Sequence, residues 1–179
     1  MLRATGVDFK LRLGVKDIAL GALLVCAALV LSIFEGFLPA AAIPIPGIKL
    51  GLANIVILFA LYRLGVGAAV GILFCKCALA AIFGSGITSF AFSICGGICA
   101  VIIMYLMRKL EGKYVSILGV SIAGAAAHGI GQILASIVML GTVTVIYYLP
   151  ALLISGIFTG ALTGAICMFL FKRLPKKIS

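Results

Sequence analysis

Six apolar runs, at 16–38, 49–63, 66–83, 88–108, 114–141 and 145–172, follow one another along the chain, separated by Pro, Gly or charged residues. A helix needs about 20 apolar residues to cross the hydrocarbon of a bilayer. Runs of this length and spacing use nearly the whole chain. They predict an all-α integral membrane bundle of about six transmembrane helices, a single domain over 1–179 with no room for a soluble catalytic domain. The run at 49–63 is short for a crossing, so its helix should be tilted or begin below the membrane surface. With 65% hydrophobic and 10% charged residues and a mean hydropathy of +1.39, the composition lies far outside that of a water-soluble domain.

Charge placement sets an orientation. The formal charge of +10 sits mainly at the ends of the apolar runs: Arg3, Lys10, Arg12 and Lys16 before the first, Arg63 after the second, Arg108, Lys109 and Lys113 after the fourth, and Lys172, Arg173, Lys176 and Lys177 after the last. Six crossings with both termini in the cytoplasm return twelve of the fourteen basic residues to that side, as the positive-inside rule expects. No basic stripe interleaved with aromatics tracks a phosphate backbone, which argues against nucleic acid as a partner. The N-terminus has charges but no short apolar core followed by a small-residue cleavage site, so the first run is expected to stay as a span.

Two lysines break the rule. Lys49 opens the second run from the outer side, and Lys76 lies about ten residues into the third, while Glu35 is the one acidic residue in that half. A charge at the centre of a span costs about 2.5–3.5 kcal/mol on insertion scales, so such groups face the bundle interior and have partners. Two readings stand. Lys49 snorkels to the headgroups and Lys76 pairs with Glu35, a purely structural arrangement; or the surplus cation awaits an anionic ligand. The fifth run places His128 and Gln132 one turn apart on a stripe with Ser121, Ala125, Ala135 and Ser136, which should look inward. His128 is the sole histidine, either a packing residue or a ligand contact. Asn54 and Ser93 complete the candidate binding set of Glu35, Lys49, Asn54, Lys76, Ser93, His128 and Gln132.

Ser89, Ser155, Thr159 and Thr163 are weaker polar marks, since Ser and Thr commonly bond their own helix backbone. Gly67 and Gly71, and Gly156, Gly160 and Gly164, are spaced to let helices approach closely. Pro39, Pro44 and Pro46 with Gly47 predict an irregular apolar loop before the second helix. If that helix begins near Gly47–Lys49, its positive end and Lys49 would together attract an anion. The six cysteines all lie in apolar segments without His or carboxylate at ligand spacing, so no metal, cofactor or disulfide is expected.

The segments PGIKLGLANIVILFALYRLG, FSICGG and AHGIGQILAS, within a similarity running from about Lys16 to Leu174, resemble the bacterial membrane family called heptaprenyl diphosphate synthase component I, or Gx transporter family. That family in turn resembles the S components of energy-coupling factor transporters. The resemblance implies an S-component-like fold in the bacterial cytoplasmic membrane and capture of a small, anionic, vitamin-like or isoprenoid- or quinone-related molecule from outside. It also implies work with a transmembrane coupling subunit and ATPases. S components dock through small residues spaced by four on helix 1, matched approximately here by Ala22 and Cys26 and by Ala28 and Ser32.

The residues set limits on that reading. No GxxxxGK[ST] motif occurs, so ATP use would belong to partners. The chain's two aspartates, Asp8 and Asp17, cannot form the aspartate-rich magnesium and diphosphate motifs of a prenyl elongating enzyme, and no nucleophile and base arrangement is legible, so no catalysis is expected. An alternative is a non-transporting membrane subunit that assists a prenyl synthase or a quinone or flavin redox assembly, with the Arg108–Lys113 loop and the basic C-terminus as docking surfaces. A proton-coupled solo carrier using Glu35 and His128 is a third.

Overall fold

Helices account for almost every residue that the computed structural model describes, which are 15–37, 48–112 and 114–173. They are α1 (Val15–Phe37), α2 (Asn54–Arg63), α3 (Val66–Ala80), α4 (Gly86–Arg108), α5 (Ile117–Leu140) and α6 (Leu149–Arg173). A π-helical turn, Ala81–Ser85, extends α3, and a 3-10 turn, Val143–Tyr148, leads into α6. Five helical stretches are long and apolar enough to cross a membrane, and their outward faces carry large exposed apolar side chains such as Val30, Phe74, Ile102, Leu134 and Phe158. A helix with lipid on one side has no reason to make that side polar. The chain is a multi-pass membrane protein.

The exception is α2. At ten residues it is about 15 Å long, half the hydrocarbon thickness, and all but three of those residues are buried. It contacts every other helix of the bundle, so it forms the core rather than part of the wall. Ile57, Leu58, Ala60 and Leu61 are fully enclosed with Ala28 of α1, Leu73 of α3, Ala100 of α4 and Cys167 of α6.

One end of the bundle collects basic side chains. Arg63 lies over the Phe171 ring at 5.4 Å, and Arg108 lies over the Tyr62 ring at 4.7 Å while donating from Nη1 to the Leu61 carbonyl at 2.6 Å. The Tyr62 hydroxyl donates to Glu111 Oε2 at 2.6 Å. These contacts tie the C-terminal ends of α2, α4 and α6 together at a shared basic end. The basic residues before Val15 and after Arg173 lie outside the described residues, as does Lys113.

Small residues set the closest helix approaches. A Cβ on Gly131 of α5 would meet the Cys95 carbonyl oxygen and the Gly96 Cα of α4 at 2.8 Å, and one on Gly160 of α6 would meet the Ile122 Cα of α5 at 2.8 Å. Gly156 and Gly164 also face α5 backbone, so the α6 glycines form the expected packing surface. The expectation for α3 is wrong: a Cβ on Gly71 would meet nothing, and Gly67 is exposed. The buried face of α3 runs through Ala69, Ile72, Leu73, Lys76, Cys77 and Ala80, and helical periodicity puts residues 67 and 71 on the other side. At the far end of this hairpin Gly86 adopts φ 74°, open to glycine at little cost, and the chain reverses from the π turn directly into α4.

Candidate functional site

Because α2 stops short, the chain from Ile48 to Ala53 is non-helical backbone inside the bundle. Such backbone is tolerated at membrane depth only where protein or a cavity covers it and its polar groups find partners. The partners are specific. The Leu50 carbonyl accepts from Thr159 Oγ1 of α6 at 3.2 Å, the Gly51 carbonyl accepts from Asn54 N at 2.9 Å, and the Leu52 N–H donates to Glu35 Oε1 of α1.

This geometry corrects the expected start of the second helix. Gly51 is held at φ 86°, outside the right-handed helical region, so the helix begins at Asn54 and Lys49 stands before it rather than on it. The positive end of α2 is met by the Glu35 carboxylate, not offered with Lys49 to an anion. Lys49 instead turns to α1, donating to Ser32 Oγ at 2.8 Å. Pro39, Pro44, Pro46 and Gly47 of the expected loop lie outside the described residues.

The remaining candidates gather around the start of α2. Counting helical rise from the basic end, Asn54, Lys76, Gly96 and His128 all stand about 14–18 Å in, near mid-membrane. Asn54 is 3% exposed, Lys76 2%, His128 3% and Gln132 0%. The position a Cβ would take on Gly51 is 2.8 Å from Asn54 Nδ2 and 3.2 Å from His128 Cδ2, so these two side chains converge on the bend before α2. The equivalent position on Gly96 of α4 is 2.9 Å from both His128 Nδ1 and Gln132 Cγ. Ser93 and Ser89, both buried, lie one and two turns along α4 from Gly96. Lys49 and Lys76 are both close enough to act electrostatically on Glu35 and on His128.

Polar atoms in this cluster lack partners. Among the described residues, Asn54 Oδ1 and Nδ2, Gln132 Oε1 and Nε2, His128 Nδ1 and Ser89 Oγ are buried without a hydrogen bond. Each such group costs about 1–3 kcal/mol if nothing pairs with it. Other polar residues are plainly structural: Ser121 and Thr163 bond each other at 2.8 Å between α5 and α6, and Ser136 and Ser155 return to their own helix carbonyls.

Sequence reasoning missed three contributors. Ser32 holds Lys49, and its signal was its place one turn before Glu35 on the buried stripe Ala28, Ser32, Glu35. Gly51 and Gly96 clear space for Asn54, His128 and Gln132, and only the doublet Gly96-Gly97 beside Ser93 hinted at it. Among the described residues no group of three or more His, Cys, Asp or Glu could hold a metal, and all six cysteines are free thiols.

Fold and site together define a class: a multi-pass membrane bundle with a buried half-length helix whose broken start is surrounded by lysine, carboxamide and imidazole groups. Comparison with known families then places the chain. It belongs to the heptaprenyl diphosphate synthase component I family, whose model matches residues 24–170. Neither curated proteins nor solved structures returned a match.

Proposed function

We propose that this protein is the substrate-binding membrane subunit of an energy-coupling-factor-type uptake system. It captures a small anionic molecule, vitamin-like or isoprenoid- or quinone-related, at the mid-membrane start of α2, and carries out no catalysis itself. The observation that carries this reading is the set of six unpartnered buried polar atoms beside two buried lysines facing one carboxylate. Broken helices at the bilayer midplane recur at the substrate sites of transporters, and here the side chains beside the break, rather than its backbone, are left open. The basic end faces the cytoplasm of the bacterial cell, by the positive-inside rule, and the site opens from the other side. A transmembrane coupling subunit and ATPases supply the energy. On α1, Ala22 and Cys26 lie on the exposed face and are free for docking, whereas Ala28 and Ser32 are buried and are not.

A second reading takes its support from the family description: a membrane subunit that assists a prenyl diphosphate synthase, or a quinone or flavin redox assembly, using the basic-end turn after Arg108 as its docking surface. Affinity purification from native membranes separates the two. Recovery of ATPases supports uptake, and recovery of synthase or redox subunits overturns it. In parallel, native mass spectrometry of the purified chain should reveal a retained small anion that Lys76→Met releases; identical spectra for wild type and variant, with nothing bound, would end the capture model.

A further inference from the structure

The open atoms at the start of α2 carry more information than charge does. A carboxamide offers a carbonyl acceptor and an N–H2 donor on one edge. Both ends of the Asn54 and Gln132 amides are unpartnered. Two amide oxygens require donors, and neither lysine bonds to them. A quinone or a prenyl diphosphate brings acceptors alone. It would engage the ammonium groups and amide N–H2 groups while stranding both amide oxygens, at about 1–3 kcal/mol each. A cyclic amide has N–H and C=O side by side, and one such edge satisfies both ends of a carboxamide at once. His128 Nδ1 and the Ser89 hydroxyl, also open, extend the polar surface, and the approaches around Gly51 and Gly96 set His128 beside both Asn54 and Gln132.

We infer that the site takes an anionic heterocycle with a lactam, imide or ureide edge, the edge read by Asn54 and Gln132 and the anion set toward Lys76, and that it discriminates against quinones and prenyl diphosphates. This rests on the uptake reading only in treating the cluster as a ligand site. The test uses the full chain in nanodiscs, with affinity and thermal unfolding read against orotate, 2-oxoimidazolidine-4-carboxylate and pyroglutamate, each beside its N-methylated twin, and against menadione and geranyl diphosphate. At least one N–H compound should bind, its N-methylated twin at least about tenfold more weakly, because a site built to pair a polar edge rejects the analogue lacking it. Gln132→Met should abolish that difference, and the twin comparison on the wild-type protein stands even if the variant does not fold. Equal binding of the twins, binding of menadione or geranyl diphosphate instead, or no binding by any compound would overturn the inference. A site that holds geranyl diphosphate leaves uptake intact, whereas purification with synthase subunits ends the uptake reading without touching the binding result.

Discussion

Replacing Glu35 by Gln tests whether one carboxylate organises the centre of the bundle. Glu35 is 6% exposed, accepts from the Leu52 N–H at the start of α2 and lies within electrostatic range of Lys49 and Lys76. Glutamine keeps the shape and an acceptor oxygen, so the Leu52 bond persists in neutral form and weakens by about 1 kcal/mol. The larger effect is on the lysines, because removing one member of a buried charged group leaves the rest uncompensated, at about 3–5 kcal/mol in all. Reversible unfolding in mixed detergent and dodecyl sulfate micelles measures that loss. Glu35→Gln combined with Lys76→Met leaves Lys49 alone and returns the buried group to the single excess positive charge of the wild type, so it should recover all but about 1–2 kcal/mol, since neutral replacement of a buried pair is often near neutral. A single variant within about 0.5 kcal/mol of wild type, or a double variant no more stable than Glu35→Gln, would show that the lysines do not depend on this carboxylate and would refute the argument.

Gly131→Ala forces a methyl against the backbone of α4 and should cost about 1–3 kcal/mol in the same assay, whereas Gly71→Ala enters open space and should be neutral or slightly stabilising. Tyr62→Phe removes the 2.6 Å bond to Glu111 at the basic end and should cost about 1–2 kcal/mol while leaving ligand binding unchanged, a combination that unfolding and affinity measured on one preparation will check.

Much of the fold is legible in the chain. Long apolar runs and the charges at their ends locate five spanning helices to within a few residues, because insertion depends on local hydropathy. The inward stripe of α5 is equally clear, since helical period alone places His128 and Gln132 together. The start of α2 is not. IKLGLAN reads as helix from Lys49, yet Gly51 bends the chain and moves the helix start to Asn54. Nor does spacing reveal that Gly71 is open while Gly131 is enclosed, since both are small residues in apolar helices.

By itself, then, the amino-acid order determined that the protein lives in a membrane, how its hydrophobic segments divide, and that two lysines lie within them, because the cost of placing a side chain in hydrocarbon is set residue by residue. Tertiary structure alone decided that Glu35 meets the broken start of α2, that Ser32 holds Lys49, and that the Asn54 and Gln132 amides are left open. Those outcomes depend on which faces of separate helices meet, and a buried polar group is satisfied or stranded by neighbours far away in the chain.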